Sequence, residues 1–256
     1  GLLGETDLLL KKIMPESAYA RVSRLYKKGK SYCYYGNKRE CTVCGGRFRL
    51  FLPAGASNRP NAKCPRCYSL ERHRLMFAYF LNCTDVFKEN KRILHFAPEY
   101  CFQEIFTRAE NLDYHTADIA ATNAMYHINI EEIPFEDGSF DIVVANHVLE
   151  HVDNDIKAMK EVFRVLKPDG WALLQVPLDV NRATTFEDET IVSHEERTRA
   201  FGQFDHVRLY GRDYGERLKA AGFKVEVVVQ EDFLSPDMIV KYGLFNSEDM
   251  YVCRKC

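Results

Sequence analysis

No stretch of the 256 residues approaches the roughly 20 consecutive apolar positions that a membrane-spanning helix needs. The first ten residues, Gly1 to Leu10, lack the basic start and cleavage pattern of a secretory signal, so a cytoplasmic location is expected. There are no internal repeats and no low-complexity segments, which excludes solenoids and linker-like chains. With 46% hydrophobic and 28% charged residues, the composition is that of an ordinary folded chain of one or two domains rather than a disordered one. Five of the cysteines, Cys33, Cys83, Cys101, Cys253 and Cys256, show no paired framework and fit a reducing compartment.

The other four cysteines form a pattern. Cys41 and Cys44 make one Cys-x-x-Cys knuckle, Cys64 and Cys67 a second, with nineteen residues between them. Four soft thiolates at that spacing suit a structural zinc in tetrahedral coordination, and such a site leaves no open position for a substrate. Gly45, Gly46 and Pro65 suit the tight turns a knuckle needs. A redox pair or four reduced thiols are the alternatives. A third Cys-x-x-Cys, Cys253 to Cys256, closes the chain but follows what looks like a strand.

The net charge of −2 hides a division. Residues 1–92 hold nineteen Lys and Arg against seven acids, a balance of +12, and residues 93–256 hold sixteen against thirty, or −14. That asymmetry suits either a basic surface for a polyanion such as nucleic acid or mutual attraction of the two halves. Residues 1–38 place Leu8, Leu9, Ile13, Val22 and Leu25 at roughly helical intervals, as amphipathic helices packing on the body or lying on a membrane surface do. The ribbon starts at residue 39. A helix capped by Ser69 is expected to follow, its run Glu71 to Arg74 exposed as a solvated face or reaching an anionic ligand. A boundary is placed near residue 75.

From Arg92 onward, short apolar strands beginning near Ile93, Tyr114, Asp141, Trp171, Lys224 and Met250 alternate with helical segments. This predicts an α/β fold, a parallel sheet with helices on both faces and ligands beyond the carboxyl ends of the strands. The runs Ile133 to Val152 and Glu161 to Gly170 closely resemble the S-adenosylmethionine-dependent methyltransferases of the Rossmann-like class. The order of ribbon, Ser69–Arg74 helix and core is similar to a bacterial subfamily with an N-terminal zinc ribbon, and Phe201 to Gly211 resembles its late substrate-side segment. The resemblance implies a methyltransferase domain over 76–256, S-adenosylmethionine as cofactor and a small-molecule acceptor.

It departs in one place. Where the family has an acidic residue and a Gly-x-Gly-x-Gly turn, this chain has His95, Phe96, Ala97 and Glu99. Either Glu99 takes the missing acid's role on the cofactor's amino group, or cofactor binding is weakened. Carried over by position, Asp118 with Ile119 takes the ribose hydroxyls, a carboxylate accepting both, nineteen residues past Glu99. Asn129 and Ile130, five and four residues before Pro134, take the adenine, and Asn146 ends the strand that faces the transferring methyl. His147 and His151 follow it as candidate catalytic groups, with lining the cofactor and packing their segment as the alternatives. His206 can supply a base and Arg208 a clamp for an anionic acceptor. Residues 179–210 form a long insertion expected to close as a lid.

The expected activity is methylation of an oxygen on a small, anionic or sugar-containing acceptor. Two rivals remain: an RNA methyltransferase gripping phosphates with the basic ribbon, and a binding protein whose methyltransferase fold has lost its cofactor. No Asn-Pro-Pro-Tyr segment of the kind found in enzymes that methylate exocyclic amines of bases follows the strand ending at Asn146.

Overall fold

The computed structural model describes residues 22–23, 29–55, 57–120, 124–245 and 248–256. The amphipathic helices expected within 1–38 fall mostly outside them. In chain order the strands are β1 (Tyr35–Glu40), β2 (Arg47–Phe48), β3 (Leu52–Ala54), β4 (Arg59–Lys63), β5 (Lys91–Phe96), β6 (Leu112–Asp118), β7 (Tyr126–His127), β8 (Phe140–Asn146), β9 (Leu166–Gln175), β10 (Phe186–Glu187), β11 (Arg208–Leu209), β12 (Lys224–Val228) and β13 (Met250–Arg254). The helices are α1 (Glu71–Cys83), α2 (Tyr100–Arg108), α3 (Asp155–Val165), α4 (His194–Phe201), α5 (Tyr214–Ala220) and α6 (Pro236–Tyr242). None is long and apolar enough to cross a membrane. The chain divides into two compact units, residues 1–78 with 234–247 and residues 79–233 with 248–256. The division falls inside α1, and the return of residues 234–247 to the first unit has no counterpart in the sequence pattern.

In the first unit, β1 pairs with β2 and β3 with β4, both antiparallel. Its centre is Arg74, which was expected on an exposed face and is fully buried. The guanidinium donates to the carbonyls of Ala62 (2.9 Å), Ser69 (2.9 Å), Tyr242 (2.6 Å) and Gly243 (3.0 Å) and lies 4.2 Å from the centre of the Phe51 ring. Burying a cation is tolerable only when such partners replace its water. Glu71 and His73 are buried too, Glu71 taking two bonds of 3.3 Å from Arg59 and His73 Nδ1 accepting the Leu70 amide. Glu71, His73 and Arg74 therefore organise the interior of their unit, and Arg72 is half-buried.

The second unit is built on a seven-stranded sheet in the order β12-β13-β9-β8-β5-β6-β7. Neighbours pair in parallel except at β13, which is antiparallel to both β9 and β12. The expected Rossmann-like α/β sheet is present, mixed rather than wholly parallel. Strands β5 and β8 are buried along most of their length because parallel strands between helical layers are covered on both faces. On α3, Ala158, Met159, Val162 and Val165 recur on one face and are buried, and Asn154 caps it by accepting the Lys157 amide. No helix occurs between β6 and β7 among the described residues.

The run Ile133 to Asp137 is held by side chains of α3. Glu161 accepts the Ile133 amide, and Arg164 donates to the carbonyls of Ile133 and Phe135 and to Asp137. Its bond to Arg164, first among several causes, lowers the Glu161 pKa. The chain therefore enters β8 at a fixed point.

Arg74→Met should remove the charge and take a donor from four carbonyls, of which Ser69 O keeps the Cys64 amide, each carbonyl left unpaired in the interior costing about 1–3 kcal/mol. Chemical denaturation should register a loss of at least about 3 kcal/mol; a change within experimental error would mean the guanidinium is not the clamp described.

Candidate functional site

Strand order reverses at β5: the chain runs outward through β6 and β7, then returns to β8 on the other side. In open α/β sheets a crevice forms at that switch, beyond the carboxyl ends of the strands. A cleft of about 530 Å³ lies there. Phe96 and Ala97 line it from the end of β5, Asp118 and Ile119 from β6, Asn129 and Ile130 from the loop after β7, and His147 and His151 from the segment after β8. Eight residues singled out in the sequence thus share one cavity.

The turn after β5 has the backbone that glycine usually supplies. Ala97 has φ of 45°, in the left-handed region where a side chain is strained, and its amide donates to Ala117 O across the strands (2.9 Å). His147 is left-handed as well, with φ of 57°. Two such residues at adjoining strand ends are the strain commonly stored at functional sites.

His95, Glu99 and Asn146 do not line the cleft; they form a cluster next to it in sequence. The Glu99 carboxylate lies 2.8 Å from His95 Nε2 and accepts from Asn146 Nδ2. His95 Nδ1 lies 2.9 Å from the Tyr114 hydroxyl, and burial raises the Tyr114 pKa, keeping that hydroxyl a donor. A neutral imidazole with its proton on Nε2 satisfies both bonds. Asn146 Oδ1 is buried and has no hydrogen-bond partner. A carboxylate and an unpaired amide oxygen together suit a ligand ammonium group.

Asp118 Oδ1 accepts the Ala120 amide (2.7 Å), and Asn129 Oδ1 accepts the Glu131 amide (2.9 Å). Both side chains therefore shape their own loops, and carboxylate and amide oxygens can each accept more than one hydrogen bond.

At the other end of the cleft, the His151 and His206 rings meet edge to face with centroids 4.8 Å apart. His206 is buried, and desolvation lowers its pKa, so it is neutral near pH 7. His151 Nδ1 lies 3.1 Å from the Asp205 carbonyl oxygen. Glu150 and Asp205 were not singled out from the sequence. Glu150 stands inside the run Ile133 to Val152, but acids beside histidines usually face solvent, and nothing local indicates its burial.

Arg208 does not serve as a clamp for an acceptor. It is 2% exposed and donates to the carbonyls of Leu149 (2.7 Å), Val152 (2.5 Å) and Asp153 (2.9 Å). With the Val207 amide on Glu150 O (2.9 Å) and the Tyr210 hydroxyl on Asp155 (2.9 Å), it fastens residues 207–210 to the segment after β8. His206 thus stands beside His151 in this structure, without a closing movement. The rest of the 179–210 insertion holds β10, which pairs with β11, and α4, closed by a capping box of Ser193 and Glu196.

In the first unit the four knuckle cysteines bring their sulfurs within 4.8 Å of one another. Cys41 and Cys67 Sγ are 3.6 Å apart, Cys44 and Cys64 Sγ 3.7 Å, and four sulfurs around one zinc at about 2.3 Å stand about 3.8 Å apart. Both knuckles share one backbone pattern: Cys41 N donates to Gly46 O and Gly45 N to Cys41 O, as Cys64 N does to Ser69 O and Tyr68 N to Cys64 O. Gly45 and Tyr68 are both left-handed, at φ of 64° and 61°. Burial, then the neighbouring sulfurs, raise the Cys64 pKa; neighbouring sulfurs, then burial, raise that of Cys67. Deprotonating all four needs a cation. Ser69 Oγ lies 3.2 Å from the sulfurs of both Cys41 and Cys67.

Residues 101–174, all within the second unit, match the family model described as a methyltransferase domain. A Mycolicibacterium smegmatis protein named a probable S-adenosylmethionine-dependent methyltransferase is 33% identical over 129 residues, 48% of this chain and 46% of its own length. A ubiquinone/menaquinone biosynthesis C-methyltransferase of Vibrio vulnificus is 46% identical over 46 residues, 18% of each chain. The chain thus spans about half or less of the length of these curated relatives. A Listeria monocytogenes structure titled a putative S-adenosylmethionine-dependent methyltransferase aligns over 73% of this chain and 96% of its own, with 18% identity and a TM-score of 0.45.

Arg208→Met should uncouple residues 205–210 from the segment after β8. Amide hydrogen exchange at Val207 should quicken at least about tenfold and stability should fall by about 2 kcal/mol or more. Unchanged exchange and stability would return Arg208 to the role of a free clamp.

Proposed function

We propose that the protein is an S-adenosylmethionine-dependent methyltransferase that methylates an oxygen of a small acceptor, anionic or sugar-containing, and that its cysteine knuckles hold a structural zinc. The observation that carries the reading is the cleft at the β5–β8 switch, which gathers the predicted ribose, adenine and methyl-side residues. In this reading Asp118 accepts the ribose hydroxyls, Asn129 and Ile130 flank the adenine, and Glu99 with Asn146 Oδ1 accepts the cofactor's ammonium. Glu99 thereby does the work of the acid absent from the end of β5. When bound, the cofactor supplies an electrophilic methyl on its sulfonium.

Methyl transfer is an in-line displacement, so alignment of the acceptor oxygen with the methyl contributes most of the acceleration. The remaining task is to remove a proton from a hydroxyl acceptor. His151, which lines the cleft and carries the lone pair on Nε2, is placed for it, with the His206 ring packed against it edge to face and His147 lining the same cleft. A sugar hydroxyl suits this arrangement better than an anion does, because Arg208 is engaged with carbonyls. The five cysteines outside the knuckles, none of them in a disulfide, accord with a cytoplasmic location.

Asp118→Ala should weaken S-adenosylmethionine binding at least about tenfold, since hydrogen bonds to a charged group contribute about 1.5–3 kcal/mol each. His151→Ala should leave that affinity intact and cut methyl transfer by about a hundredfold, the usual range for a lost base. Calorimetry and a labelled-methyl screen against cell extract measure the two separately. Unchanged affinity in folded Asp118→Ala would show that the cofactor lies elsewhere.

Metal analysis of protein purified without chelator should give one zinc per chain, and Cys64→Ser should lose it together with thermal stability. A zinc content well under one per chain would exclude the structural site.

A further inference from the structure

Glu150, His151 and His206 each bring a ligand atom within 4.8 Å of the others. Glu150 is fully buried, and neither of its carboxylate oxygens has a hydrogen-bond partner. His147 Nδ1 stands 3.1 Å from Glu150 Oε1 without the alignment of a hydrogen bond. A buried carboxylate in that condition is costly unless a proton or a cation joins it.

One imidazole is already oriented through its other nitrogen, and the second is fixed by burial. His151 Nδ1 faces the Asp205 carbonyl at 3.1 Å, where the ring must donate, so Nε2 keeps its lone pair. His206 is buried against the His151 ring, and its Nδ1 is buried without a partner. Metal-ligating histidines are held in this way, one nitrogen donating to a carbonyl while the other binds the ion.

We propose that Glu150, His151 and His206 form a binding site for a divalent transition-metal ion at the acceptor end of the cleft. Two imidazoles and a carboxylate suit ions of the zinc, iron and cobalt type, which take nitrogen and oxygen donors together. Glu150 Oε1 and His151 Nε2 are 4.0 Å apart, and donors held about 2.0–2.2 Å from one ion stand about 3–3.5 Å apart, so that pair need close by no more than about 1 Å to seat it. His151 and Asp205 line the cleft, so the ion's remaining positions face a bound acceptor. The site goes beyond the methyl-transfer reading and does not require it. With the ion present, His151 is a ligand rather than the base, and the ion acidifies an acceptor hydroxyl in its place.

Cobalt(II) titration of the full chain, with its cysteine site already zinc-loaded, tests the proposal. Wild type should take up one cobalt with the visible bands of a nitrogen and oxygen site and no thiolate charge-transfer band. Glu150→Gln and His206→Gln, checked for folding by zinc content and unfolding temperature, should bind cobalt at least about tenfold more weakly, a difference of about 1.4 kcal/mol. His151→Gln, at a partly exposed position, should do the same and serves if the buried variants do not fold. Absence of such a band in wild type, or wild-type affinity in the folded variants, would overturn the site. S-adenosylmethionine calorimetry on the same samples reports the cofactor reading independently, so failure of one is not mistaken for failure of the other.

Discussion

The parallel pairing of β6, β5 and β8 is the constraint on which the site depends. Ala117 is the partner of Phe96, and Phe96 the partner of Ala145, so three strands end at one level along a common edge. Every residue just beyond those ends is thereby delivered to the same place, whatever its separation in sequence. Asp118, Ala97 and His147 come together for this reason alone. A one-residue slip would turn each side chain to the opposite face, and buried apolar runs on both faces oppose such a slip.

The chemistry then follows from what occupies that edge. A glycine turn after β5 lets the backbone approach a ligand and contributes no charge. Here Ala97 retains the left-handed backbone while Glu99 adds a carboxylate held by His95 and Asn146. The loss of glycine is therefore not a loss of shape. It is an exchange of a neutral turn for one with an acceptor fixed beside it.

The strands were legible because continuous apolar runs bounded by turns have few other meanings. The motif from Ile133 to Gly170 was legible for a structural reason, since Glu161 and Arg164 clamp Ile133, Phe135 and Asp137 and need those partners at fixed offsets. The knuckles were legible from spacing. Arg74 reads as solvated because it stands in a charged run, and Arg208 reads as a clamp for an anion; in both cases only the fold reveals the carbonyls that take up the guanidinium. The burial of Glu150, the return of residues 234–247 to the first unit and the reversed direction of β13 are long-range outcomes with no local signal.

A crystal structure of the chain with S-adenosylhomocysteine tests the central claim most directly. The ribose hydroxyls should lie on Asp118, the adenine between Ile130 and the loop after β7, and the ammonium against Glu99 and Asn146 Oδ1. A ligand bound away from the β5–β8 edge, or an unfilled cleft in crystals grown at saturating concentration, would contradict it.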